Sequence, residues 1–125
     1  MRKLGGMASE YLLTQIDKAT VVEFRIPSLM DPVQLEMIQK QLFILVDEQD
    51  KRLMILDFSK VEFLSSQAIG IVIGLHRRLA TLPHSKLLLC GVNGKLTELL
   101  KITRLDKVLT VKASQKEAIN SLAML

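Results

Sequence analysis

A chain of 125 residues, 49% apolar and 24% charged, has the composition of one folded domain rather than of a disordered segment. Its longest apolar runs, AIGIVIGL and LLLC, fall far short of the roughly 20 residues needed to cross a bilayer, so no membrane span is expected. The net charge of +4 is divided unevenly, five Lys or Arg against eight Asp or Glu in residues 1–50 and twelve against five in residues 51–125; the cations are scattered, Tyr11 is the only tyrosine and tryptophan is absent, which provides neither a phosphate-tracking stripe nor a stacking platform and argues against direct nucleic-acid binding.

Residues 1–9, with Gly5 and Gly6 and little periodicity, are expected to form a flexible tail, leaving residues 10–125 as the domain. The basic start has no apolar core behind it, so no secretory leader is expected. The lone Cys90 can form no internal disulfide, and the expected location is cytoplasmic. YLLTQID and ATVVEFRI are β-rich runs joined at Asp17 and Lys18 as a hairpin. Asp31-Pro32 opens a helix, aspartate as cap and proline in the first turn, running through PVQLEMIQKQLFILVDEQ. Val33, Met37, Leu42, Leu45 and Val46, with Leu35 and Ile38, are read as its apolar face.

RLMILDF is apolar nearly throughout, as expected of a strand covered on both faces. Next, Ala68, Val72, Leu75, Leu79 and Leu82 recur at helical spacing and predict a helix ending before Pro83. KLLLCGV is a strand, GKLTELLKITRL a helix, KVLTVKA a strand and SQKEAINSLAML a helix capped by Ser114. The order β-β-α-β-α-β-α-β-α implies an α/β fold: one mixed, mostly parallel sheet with an N-terminal hairpin and about four helices.

Most candidate chemistry dissolves on spacing. GVNGKLT follows a strand and opens a helix, yet it lacks the glycine spacing and the Ser or Thr after lysine that a phosphate-binding loop requires. Gly70 and Gly74 form a GxxxG, read as close helix packing. His76 and His84 have no partners at zinc spacing, so no metal or other cofactor is expected. A Ser66–His76–Asp57 triad fails because ten residues of one helix separate Ser66 from His76 by about 15 Å. Cys90 reads as a small core residue, and Asp57 either serves a ligand at the strand end or caps the turn after it.

The stretch VEFLSSQAIGIVIG is different. Serine is a preferred helix N-cap, and a hydroxyl at a helix N-terminus is also a favourable place for phosphate, because free N–H groups and the helix dipole stabilise negative charge. Both readings of Ser65 and Ser66 remain open on these grounds.

With this loop and the element order, the chain resembles the STAS domains, the family of anti-sigma-factor antagonists and of sulphate-transporter cytoplasmic tails. LMILDFSKVEFLSSQAIGIVIGLHRRL and KLLLCGVNGKLTELLKITRLDKVLTV carry the resemblance, and IPSLMDPVQLEMIQKQL adds to it. The family's usual loop is an aromatic and an apolar residue followed by D-S-S-G-L-G or D-S-T-G-L-G, the serine after the aspartate accepting phosphate. Phe63 and Leu64 match the approach, Ser65 stands for the aspartate, Ser66 for the acceptor, Gln67 for the second hydroxyl and Ala68 for the first glycine; Ile69 and Gly70 close the motif.

The resemblance implies a non-enzymatic regulator that binds an anti-sigma factor that is also an ATP-dependent serine kinase, so releasing a sigma factor. Ser66 is then the phosphoacceptor, with Ser65 the second choice, and Phe63, Leu64, Ser65, Ser66, Gln67, Ile69 and Gly70 form the partner interface. A serine phosphatase would reset the switch, and homo-oligomerisation is left open. The alternative is a constitutive scaffold or a subunit of a larger transport or signalling assembly, in which Ser66 is only a helix cap.

Overall fold

The computed structural model describes the backbone of residues 2–7 and the whole of residues 10–124. A six-stranded sheet forms its centre, in the order β1 (Arg2–Met7), β2 (Tyr11–Ile16), β3 (Ala19–Phe24), β5 (Leu53–Asp57), β7 (Lys86–Cys90), β8 (Thr110–Lys112). The pairs β1–β2 and β2–β3 are antiparallel, and β3–β5, β5–β7 and β7–β8 are parallel. Two-residue strands β4 (Ser28–Leu29) and β6 (Phe63–Leu64) pair beside it. The helices are α1 (Pro32–Asp47), α2 (Ser66–Ala80), α3 (Gly94–Ile102) and α4 (Gln115–Ala123). This is the mixed, mostly parallel α/β architecture the element order predicts.

Strand side chains alternate between faces, and the two sides are covered unequally. Val22, Met54, Leu56, Leu87 and Leu89 point into a core shared with α1, α2 and α3. Val21, Ile55, Leu88 and Cys90 point into a smaller one closed by Ala118 and Leu122 of α4. Met54, Ile55 and Leu56 are each fully buried, which explains why the central strand lacks polar alternation. Gly74 lets α1 approach α2, since a Cβ there would lie 3.0 Å from Cζ of Phe43; Gly70 faces open space, so only one glycine of the GxxxG serves packing.

Several expectations are corrected. Arg2–Met7 is an edge strand rather than a flexible tail; its register against β2 shifts between Lys3 and Met7, around Gly5-Gly6, and a bulged edge leaves no side-chain periodicity to read. α1 stops at Asp47 and α3 at Ile102, Thr103 capping α3 and Arg104 adopting a left-handed conformation (φ 62°) that breaks the helix. Leu105–Lys107 is a 3-10 turn, which shortens the last strand to Thr110–Lys112.

Val33 and Met37 are not core residues: they are 68% and 65% exposed. At 3.6 residues per turn they lie about 160° and 200° around the helix from Leu35, opposite the buried stripe of Leu35, Ile38, Leu42 and Leu45.

Candidate functional site at the start of α2

Because β3, β5, β7 and β8 are parallel, the loops leaving them share one edge of the sheet, where ligand and partner sites of open α/β sheets are found. Four helices begin here, each capped by a short side chain: Asp31, Ser65, Asn93 and Ser114 accept hydrogen bonds from the amides of Val33, Ala68, Leu96 and Glu117.

Asp57, 5% exposed, organises the base of the edge. Its Oδ1 accepts from the Ser59 amide at 2.9 Å and its Oδ2 from Gln115 Nε2 at 2.8 Å, tying the turn after β5 to the start of α4. Of the two readings, the carboxylate is therefore a turn cap. Gly91 crosses directly over this turn at φ 67°; a Cβ there would sit 2.8 Å from the Ser59 nitrogen and 2.9 Å from Asp57 Oδ1. Burial, then the neighbouring Asp57 carboxylate, push the Cys90 thiol up to about 12, so it stays protonated and is a core residue.

From Asp57 the chain rises to the serines through a braced loop. Asn93 Nδ2 donates to the Val61 carbonyl at 3.1 Å, the amides of Glu62 and Phe63 donate to the Pro27 carbonyl, and the Ser65 amide donates to the Leu29 carbonyl at 3.1 Å. The two serines then diverge. Ser65, half-buried and extended, is the N-cap, its Oγ accepting from the Ala68 amide at 3.2 Å. Ser66 is the first residue of α2 and is exposed. The alternative that makes Ser66 a cap is thereby corrected, because the cap is Ser65.

The other residues expected at the interface separate by exposure. Phe63 is 47% exposed, with Lys95 Nζ 4.8 Å above its ring, and Gln67 and Gly70 are exposed. Leu64 and Ile69 are half-buried and line a small apolar cavity of about 20 Å³ with Phe58, Val72 and Leu96. Gln67 Nε2 reaches toward the Pro32 carbonyl at 3.5 Å, bringing the starts of α1 and α2 together. Near that junction three apolar side chains not assigned to the site from the sequence are exposed: Met30 just before α1, Val33 in its first turn and Met37 one turn further along it. The signal that could have found them is the pair of apolar residues on the polar side of α1.

Among the described residues, no three His, Cys, Asp or Glu side chains group in a way that could hold a metal, and no helix is long and apolar enough to cross a membrane. His76 lies on α2 with Ser66, and with Asp57 held by Ser59 and Gln115 the three do not assemble as a triad.

The family model of the STAS domain matches residues 11–118. The chain belongs to the STAS-domain family. Solved structures share the fold of this STAS domain at low identity. An anti-sigma-factor antagonist (STAS) domain protein from Planctomyces limnophilus superposes with a TM-score of 0.81 at 23% identity, over 94% of this chain and 99% of that one. The Bacillus cell fate determinant SpoIIAA in its phosphorylated form gives 0.72 at 18% identity, over 90% and 98%. A sulfate transporter family protein from Wolinella succinogenes gives 0.70 at 15%, over 89% of each chain. Among curated proteins, none matches this chain in sequence.

Proposed function

We propose that this STAS domain is a non-enzymatic, anti-sigma-factor-antagonist-like switch. It binds an anti-sigma factor with serine kinase activity, releases a sigma factor, and is itself released when Ser66 is phosphorylated. The observation that carries this reading is the division of labour between the serines: Ser65 caps α2, and Ser66 stands exposed at its first position.

A phosphate on Ser66 meets first-turn amides that have no intrahelical acceptor and the positive end of the helix dipole, so the modified state costs the fold little. Its cost falls on the complex. Nearly two negative charges would enter an interface that, in this reading, also takes in Phe63 and the exposed Met30, Val33 and Met37, and there they must be desolvated. A penalty of about 3 kcal/mol weakens binding more than a hundredfold.

The departures from the family's usual loop are physically mild. Serine in place of aspartate retains an N-cap oxygen, and Ala68 in place of glycine puts a methyl group into the core at 4% exposure. Fold likeness to a phosphorylated antagonist supports the reading without assigning the residue.

Incubation with a cognate kinase and ATP, followed by mass spectrometry, should place the phosphate on Ser66. No phosphate there, with Ser66→Asp binding the partner normally, refutes the switch. The second reading, a scaffold or assembly subunit, draws support from the likeness to a transporter-family structure; it expects Ser66→Asp and Ser66→Ala to bind alike.

A further inference from the structure

The two outer strands of the central sheet are finished differently. At β1 the register shifts between Lys3 and Met7, and such a bulge hinders the addition of another strand. At β8 the register is unbroken, Thr110, Val111 and Lys112 pairing in turn with Leu88, Leu89 and Cys90. An edge strand directs part of its N–H and C=O groups away from its neighbour, and among the described residues no further backbone hydrogen bond takes up those of β8.

The side chains at this edge are apolar where solvent meets them. Val111 shares a face of the sheet with Leu89, its partner in register, yet Leu89 is buried and Val111 is 41% exposed, so the apolar surface runs on beyond the helices that cover it. Ile102, 72% exposed at the end of α3, and Val108, 53% exposed, lie on the connection that leads into β8. That connection is braced: Thr103 Oγ1 donates to the Leu99 carbonyl at 2.8 Å, and the amides of Val108 and Leu109 donate to the Leu105 carbonyl at 3.0 and 2.8 Å. Three exposed branched side chains beside an open strand edge mark a surface that another chain covers.

Charge identifies that chain. Residues 101–116 hold five Lys or Arg against one Asp, and the rest of the sequence balances at twelve against twelve, so the whole positive surplus of the protein sits in this segment. The five cations are spread one to an element: Lys101 on α3, Arg104 at the left-handed turn, Lys107 on the 3-10 turn, Lys112 on β8 and Lys116 on α4. Among the described residues none of them has a carboxylate within ion-pair distance. A second copy of the chain would bring two such groups of like charge together, and a membrane surface offers no strand to complete the ladder.

We infer that the β8 edge docks an extended acidic segment of a partner protein, which adds to the sheet as a further strand with apolar side chains at alternate positions. Main-chain hydrogen bonds to β8 hold the segment, Val111, Val108 and Ile102 take its apolar side chains, and the unpaired cations select for acidic ones. The surface is independent of Ser66.

Titration of the ¹⁵N-labelled full chain, in about 150 mM salt, with a blocked peptide of about six residues alternating glutamate with valine tests the inference. Saturable amide shifts confined to residues 101–104 and 107–113, with a Kd below about 1 mM, are expected. Two versions of the peptide N-methylated at alternate residues, in opposite phases, each block one of its edges; one should bind at least about tenfold more weakly than the other, a comparison that leaves the protein unaltered. Lys101→Glu combined with Lys107→Glu should weaken binding at least about tenfold, and Lys40→Glu, exposed on α1, should leave it unchanged. No saturable shift at β8, equal binding of the two N-methylated peptides, or equal binding by the double variant and Lys40→Glu overturns the inference. So does a dimer of the free chain that Val111→Lys dissolves, which gives the edge to a second copy, or binding to phosphatidylglycerol vesicles in place of the peptide, which gives it to a membrane surface.

Discussion

The adjacent serines make a prediction in which stability and binding move in different directions. Ser65→Ala removes the Oγ that accepts from the Ala68 amide, and loss of an N-cap costs about 1 kcal/mol. At about 2.1 cal/mol/K per residue, 125 residues give an unfolding entropy near 260 cal/mol/K, so the midpoint should fall by about 4 °C. Ser66→Ala removes an exposed hydroxyl at the first helical position and should stay within about 0.5 kcal/mol, a shift under about 2 °C. Ser66→Asp places a carboxylate at the positive end of α2 and should stabilise by about 0.3–1 kcal/mol while abolishing binding to the proposed anti-sigma partner. Differential scanning calorimetry of the three variants, with isothermal titration against that partner, reads both quantities. An equal or larger loss of stability in Ser66→Ala would mean that Ser66, not Ser65, holds the helix start. Loss of binding in Ser66→Asp accompanied by a lower midpoint would indicate misfolding instead of a switch.

The same edge supports three further predictions. Met37→Lys should leave the midpoint within about 2 °C, because Met37 is 65% exposed, and Phe63→Ala should lower it by no more than a few degrees, because about half of its ring faces solvent, while each weakens binding to the proposed anti-sigma partner at least about tenfold by titration calorimetry; unaltered affinity would remove this face from the interface. Gly91→Ala combines a left-handed backbone penalty with displacement of the Asp57–Ser59 turn, together about 2–3 kcal/mol in urea unfolding, whereas Gly94→Ala, with open space at its Cβ, is the neutral control; equal midpoints would contradict the crossing geometry. Cys90 sets an alkaline limit. Its folded pKa is raised to about 12 from 9.0, so above pH 9 the unfolded chain releases the proton first and native stability falls, by up to about 1.4 kcal/mol per pH unit as pH approaches 12. Urea midpoints between pH 8 and 11 should therefore decline less steeply in Cys90→Ala, and parallel declines would refute the assignment.

What the sequence made legible follows from what periodicity measures. The strands Leu53–Asp57 and Lys86–Cys90 were readable because burial on both faces removes polar positions altogether, and α2 because Ala68, Val72, Leu75 and Leu79 form one buried stripe. The strand at Arg2–Met7 and the two-residue β4 and β6 were invisible for the opposite reason: backbone pairing defines them, and they are too short or too irregular for side chains to repeat. The start of α2 was located, but which serine caps it depends on a shift of one residue, finer than pattern reading resolves. On α1 the information was present and was misassigned. Val33 and Met37 are apolar, and counting apolar residues placed them in the core, although their angular position sets them opposite Leu35 and Ile38. An apolar residue on the wrong side of an otherwise regular amphipathic helix has no packing role to explain it. Beside an exposed serine at the start of the next helix, its simplest physical role is contact with another molecule, which extends the proposed recognition surface from the serine loop onto α1.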